Sequence, residues 1–326
     1  MRRREFIALL GGAAAIWPFA TRAQQPTKAA RLGFLGATFA SSWSSRFESF
    51  RSGLRELGYM EGRNVFIEYR WADENYDRLP RLAGELFRLN LDVILTYGTP
   101  ATLAARRATT DIPIVFVYSG DAVAAGLVTA LNEPGANVTG STYFLPQLMA
   151  KRLELLKEAV PSLKRAAVLV KPDNPLFKST LPVLESAAAS LEVELQQFHV
   201  TNANELKGAF SSMEKSRIEG VVVQEDAVFL SNLNAITSLA LSHSLPLAGS
   251  SEFAAAGGLL SYGVDFLEMC RHAAVFVDKI LKGTRPSNIP VEEATKFETV
   301  LNRKVANSLW LSVPTSILLR ADRVIE

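Results

Sequence analysis

The chain has 326 residues, of which 48% are hydrophobic and 21% charged. That length exceeds one ordinary core and suits two domains of roughly 100–200 residues each, and the composition is that of a soluble globular protein. The formal charge of +2 provides no strongly basic face, which argues against nucleic acid as a partner.

The opening MRRREFIALLGGAAAIWPFATRA has a basic start, an apolar run from Phe6 to about Ala20, and a small-residue Thr-x-Ala exit ending at Ala23. This is the pattern of a secretory signal over residues 1–23, and the run is short for a membrane span. Arg3-Arg4-Glu5-Phe6-Ile7 resembles the twin-arginine (Tat) export pattern; a Sec signal with an extra arginine is the other reading. Cleavage after Ala23 removes Arg2, Arg3, Arg4 and Arg22 against Glu5, leaving 31 basic and 32 acidic groups, a net charge of −1. No later segment holds 18 uninterrupted apolar residues. Cys270 is the single cysteine, so an internal disulfide is excluded and a lipid anchor just after the signal has no cysteine to sit on. A free protein of the periplasm is expected. Cys270 falls in FLEMCRHAAVFVDKIL, a helical pattern, and is expected to fill core.

From residue 31 onward, apolar runs of strand length alternate with segments of helical period. This is the pattern of βαβ units, with parallel sheets covered by helices on both faces. RLGFLGA (31–37) is the first expected strand, and the helix after it presents Phe47, Phe50, Leu54 and Leu57 on one face. Further strands are expected at 64–72, 92–98, 112–120 and 137–143, with helices at 79–89, at about 100–108, and a short one after Ala125. A second series opens with LMAKRLELLKEAVP, where Leu153, Leu156 and Val160 form a stripe and Pro161 ends the helix. Its strands at 165–172, 192–200, 220–226 and 245–251 correspond in order to 31–37, 64–72, 92–98 and 112–120, without residue-level identity. Two similar α/β lobes with parallel sheets are the simplest reading.

Open parallel sheets bind ligands beyond the carboxyl ends of their strands. There the sequence turns small and polar: Thr96, Gly98 and Thr99 after one strand, Ser119, Gly120 and Asp121 after the next. The second lobe offers 171–174 (KPDN), Glu225 with Asp226, and 250–253 (SSEF) at its equivalent edge. If the edges face each other, both lobes line a cleft. Pro100 suits the start of a helix, which makes Thr99 the expected N-cap beside free N–H groups that attract a carboxylate; capping alone is the competing role. Asn174 is a ligand donor or a turn residue. Asp121 is a partner for a ligand ammonium or a helix or turn cap, and Asp226 and Glu252 are further acidic candidates. Tyr97, Tyr118, Phe253 and Tyr262 either cover an apolar side chain of the ligand or fill lobe core. With Gly36 at the end of the first strand, the candidate ligand set is Gly36, Thr96, Gly98, Thr99, Ser119, Asp121, Asn174, Asp226, Glu252 and Tyr262. An anion site opposite acidic groups suits an amphoteric solute such as an amino acid.

No catalytic or metal constellation is recognisable. His199, His243 and His272 stand apart from one another and from Cys270 at spacings that hold no zinc. There is no G-x-S-x-G elbow, and Gly33 and Gly36 do not complete a G-x-G-x-x-G loop. Binding is expected, without turnover, cofactor or metal.

Several stretches carry a resemblance: FRSGLRELGYMEGRNVFIEYRWADENYDRLPRLAGEL (50–86), YGTPATLAARRATTDIPIVF (97–116), LNEPGANVTGST (131–142), KRLELLKEAVP (151–161), AAAGGLLSYG (254–263) and KILKGTRPSNIPVEEATKFETVLN (279–302). Together they resemble the ABC transporter substrate-binding protein family that includes tryptophan- and tyrosine-binding members. The resemblance covers essentially all of the chain after the signal and implies a type I periplasmic binding protein: two Rossmann-like three-layer lobes joined by three crossover hinges near 140–143, 262–265 and 289–292. It implies an N-terminal lobe of 30–141 plus 264–290 and a C-terminal lobe of 142–263 plus 291–326. It further implies a monomer that captures a small molecule and delivers it to an ABC permease in the inner membrane, powered by a separate ATPase. The turn 98–100, the acidic residue after Gly120, and Asn174 match family motifs at the ligand. Ala122 stands where the family commonly has proline, and 248–251 (AGSS) is less bulky than usual; both bear on which ligand is held. A sensory protein reporting to a membrane kinase or chemoreceptor is the alternative use of the same lobes, and a periplasmic enzyme is a third.

Overall fold

Residues 29–326 are described by a computed structural model, and the expected signal with its twin-arginine pattern lies outside them. The first lobe is built from β1 (Ala30–Gly36), α1 (Ser44–Glu56), β2 (Val65–Trp71), α2 (Leu79–Phe87), β3 (Val93–Tyr97), α3 (Thr99–Ala108), β4 (Ile114–Ser119) and β5 (Val138–Thr142). The second follows with α4 (Leu145–Ala159), β6 (Arg165–Val170), α5 (Phe177–Ser190), β7 (Glu194–His199), α6 (Leu206–Lys215), β8 (Gly220–Val223), α7 (Ala227–Ser231), α8 (Leu233–Ser242), β9 (Leu247–Gly249) and β10 (Leu260–Gly263). The chain then returns to the first lobe with α9 (Phe266–Leu281) and β11 (Glu292–Glu293). It ends in the second with β12 (Glu298–Asn302), α10 (Arg303–Ser308), α11 (Thr315–Arg320) and β13 (Arg323–Ile325).

Two Rossmann-like lobes result. The first sheet runs β11-β5-β4-β3-β1-β2, all parallel. The second runs β13-β12-β10-β9-β8-β6-β7 and is parallel except where β10 meets β12. Strands covered on both faces read as continuous apolar runs, and β3, β4 and β8 are buried at every position. The edge strand β7 is mostly exposed or half-buried. Phe34, Trp43, Phe47 and Trp71 form an aromatic cluster with ring centroids 4.8–6.3 Å apart, which seats the start of α1 against β1. Cys270 is buried in α9.

Three details depart from the sequence reading. No helix follows Ala125 between β4 and β5; turns replace it, with the amides of Leu127 and Val128 both returning to the Ala122 carbonyl. Leu57 leaves the apolar face of α1, because the helix stops at Glu56 and Leu57 is its exposed C-cap. The third passage between lobes falls at 294–297 rather than 289–292. Glu292 and Glu293 pair with Ser141 and Thr142 in the first sheet, so that sheet takes in 142 and 292–293, beyond the boundaries drawn at 141 and 290. A two-residue strand is too short to carry a period.

Candidate ligand-binding site

The carboxyl ends of the two sheets face each other across a narrow cavity of about 40 Å³, well below the ~300–1,000 Å³ usual for small-molecule sites, so the lobes must part to admit a solute. On the first-lobe side the chain must turn sharply from β3 into α3. Gly98 makes that turn at φ +87 and is itself the N-cap, a conformation that side chains disfavour. Thr99 therefore becomes the first helical residue rather than the expected cap, and its hydroxyl lies 3.1 Å from that of Ser119. No side chain caps α3, so its first-turn N–H groups remain available, the arrangement that attracts an anion. Tyr97 and Tyr118 complete this wall, edge to face at 5.5 Å. Burial above all pushes the Tyr97 hydroxyl up to about 12 and that of Tyr118 well above its ordinary value, so both are neutral phenols.

The second-lobe side is acidic. Asp226 caps α7 by accepting from the Val228 amide at 2.8 Å, and it also accepts from the Asn174 amide nitrogen Nδ2 at 2.9 Å. The Tyr76 hydroxyl crosses from the first lobe to both Asp226 oxygens, at 2.9 and 3.0 Å. Burial raises the Asp226 carboxyl, and these donors with the Lys171 charge only partly offset that. Beside it, Glu225 takes two bonds from the Arg152 guanidinium at 2.7 and 2.8 Å, both side chains being buried. Arg152 Nε also donates to the Tyr262 carbonyl at 2.7 Å. An arginine on the first helix after one crossover is thereby tied to a strand that leads into the next.

The lobes touch. Besides Tyr76–Asp226, the Lys171 ammonium stands 4.6 Å from the Tyr76 ring centroid. Asn232 donates to Glu74 at 2.9 Å, and Arg46 pairs with Glu252.

Gly98, Thr99, Ser119, Asn174 and Asp226 line the cavity; five other candidates do not. A Cβ on Gly36 would overlap the Trp71 ring, so this glycine makes room for that ring. Thr96 braces the Gly98 turn from within: its hydroxyl is 2.8 Å from that of Thr102, which donates to the Gly98 carbonyl. Asp121 caps its own turn through the Ala124 amide at 2.8 Å, because the helix-free β4–β5 connection carries it away from the cavity. Glu252 is taken by Arg46. Tyr262 offers only its carbonyl inward, while its ring stacks on Phe297 at 5.9 Å. Phe253 packs on Gly249 in the second-lobe core. Asn174 lines the cavity and is also a turn residue, since its Oδ1 accepts from the Leu176 amide at 2.9 Å. Tyr76 and Tyr143 line the cavity and were not anticipated. The one sequence signal for Tyr76 is an aromatic residue inside the polar stretch ADENYDR.

A family model described as ABC transporter substrate binding protein matches residues 41–325. The chain belongs to that family. Among its relatives, the tyrosine-binding protein of Clostridioides difficile (strain R20291) is 27% identical over 263 residues, which is 80% of this chain and 75% of that protein. A conserved domain protein from Vibrio cholerae O1 biovar eltor str. N16961 has a similar structure, with a TM-score of 0.85 and 26% identity, covering 91% of this chain and 100% of that one. The ABC domain from Streptococcus pneumonia in complex with L-Trp gives a TM-score of 0.83 and 25% identity, covering 91% and 99%. The chain is therefore a substrate-binding protein of the ABC transporter class.

Proposed function

We propose that this substrate-binding protein closes its lobes on an amino acid in the periplasm and delivers it to an ABC permease of the inner membrane. The α-carboxylate lies against the open first turn of α3 with the Thr99 and Ser119 hydroxyls, and the α-ammonium lies at Asp226. The observation that carries this reading is the pairing of an uncapped helix start on one wall with a buried carboxylate on the other. Three donors reach Asp226 through four contacts, two of them shared by the Tyr76 hydroxyl, so an ammonium takes the place of that hydroxyl at one carboxylate oxygen. The relatives named for tyrosine and co-crystallised with L-Trp make L-tyrosine and L-tryptophan the first probes. Closure follows from tighter binding to the closed form.

A thermal-shift screen of the twenty amino acids tests it. A ligand at 100 times its Kd adds about 2.7 kcal/mol of stability. Asn174→Ala and Asp226→Asn are expected to abolish the shift, and Asp121→Ala, outside the cavity, to retain it. Absence of a shift with every amino acid contradicts the proposal.

A further inference from the structure

Away from the cleft, a second cavity of about 410 Å³ opens where the lobes are joined, inside the ~300–1,000 Å³ usual for small-molecule sites. Phe144, Leu148, Tyr262 and Phe297 form its apolar lining, and Lys151 and Glu293 its charged margin. Phe144 and Phe297 are each 38% exposed, and large apolar side chains gathered at a surface mark a binding site. Every passage between the lobes contributes: Phe144 follows the first, Tyr262 opens the second, and Phe297 closes the third.

The charge at this slot is one-sided. Lys151 is paired with Glu154 of its own helix at 2.6 Å. On β11, Glu292 turns toward α9, where His272 holds it at 2.7 Å and Lys279 stands at 3.6 Å. Successive side chains of a strand point to opposite faces, so Glu293 turns away from α9, and its carboxylate has no partner among the described residues. An unpaired carboxylate beside aromatic rings suits a cation, which both attract.

We infer that this slot is an effector site for an organic ammonium with an apolar body, bound outside the substrate cleft, and that its occupant favours lobe closure. Glu293 moves with the first sheet and Tyr262 with the second, so parting of the lobes changes the spacing across the slot. A ligand that binds one arrangement better shifts the population toward it. Tyr262 also connects slot and cleft. Its ring stacks on Phe297, and its carbonyl accepts from Arg152, whose guanidinium holds Glu225 in the cleft wall.

Benzyltrimethylammonium, which has no carboxylate for the cleft, is the probe, titrated into the purified protein by calorimetry. The wild type is expected to bind it at least about tenfold more tightly than its uncharged carbon isostere. Glu293→Gln and Phe297→Leu, both at exposed positions, are expected to weaken it by about tenfold or more, and Asp226→Asn to leave it unchanged. Small-angle scattering of Tyr76→Phe, in which one contact between the lobes is removed, is expected to show a smaller radius of gyration with the probe than without it. No binding, equal binding of the isostere, or unchanged affinity in both slot variants overturns the site. Loss of binding in Asp226→Asn alone puts the cation in the cleft and also overturns it, and binding without compaction overturns the effector role. No amino acid enters these measurements, so they stand or fall apart from the amino-acid reading.

Discussion

The two walls of the cleft differ in kind although they come from the same architecture. Among the first-lobe residues that line the cavity none is charged; the wall is made of helix amides, hydroxyls and phenols. The second-lobe wall carries Glu225 and Asp226, and both are anchored inside the protein before any ligand arrives. Helix amides cost little to leave facing a cleft, whereas a buried carboxylate is tolerated only with donors around it. One wall therefore needs a glycine turn, and the other needs a hydrogen-bonded frame.

The frame is the place to break that contrast most severely. Arg152→Met leaves Glu225 buried without its partner and is expected to cost about 3–5 kcal/mol of stability by urea denaturation. On the opposite wall, Gly98→Ala forces a side chain into a conformation that side chains rarely adopt, for about 1–3 kcal/mol. It also moves the start of α3, so that amino-acid binding is lost along with stability. Tyr76→Phe keeps the ring beside Lys171 but removes the hydroxyl from Asp226. Because Asn174 and Val228 still donate to Asp226, the loss is near the lower end for a bond to a charged group, about 1.5 kcal/mol. Small-angle scattering of the ligand-free variant is expected to show a larger radius of gyration as the lobes part.

The smallest effect concerns Glu74, whose carboxyl is raised above its usual range, first by burial and then by the nearby Asp226 charge, against the opposing Asn232 bond. The unfolded carboxyl titrates near pH 4.3 (an approximate reference value). Above that pH the folded state holds the proton more tightly, so this group makes stability fall as pH rises through the raised value. Glu74→Gln keeps an acceptor for Asn232 and is expected to flatten that fall in denaturation curves collected from about pH 4 upward. An unchanged slope assigns the titration to other groups.

The sheets were legible in the sequence because strands buried on both faces leave uninterrupted runs such as VILTY and GVVV. The cavity was legible in the residues at or just beyond strand ends that point into it: Ser119 closes β4, Gly98 and Thr99 follow β3, and Asn174 and Asp226 lie in the connections after β6 and β8. Asp121 and Asp226 look alike as acids beyond strand ends. What separates them is the path of the following chain: turns carry Asp121 off the cavity, and a helix start holds Asp226 on it. Tyr76 and the two-residue β11 belong to pairings between distant segments, which no local period encodes. Glu252 and Arg46 became partners for the same reason.

The central claim is that one wall holds a carboxylate and the other an ammonium. Titration calorimetry with L-tyrosine, its decarboxylated amine and its deaminated acid tests this directly. Each truncated compound loses one charged contact, for a loss of about ten- to a hundredfold in affinity. Binding of either truncated compound as tightly as the intact amino acid contradicts the account.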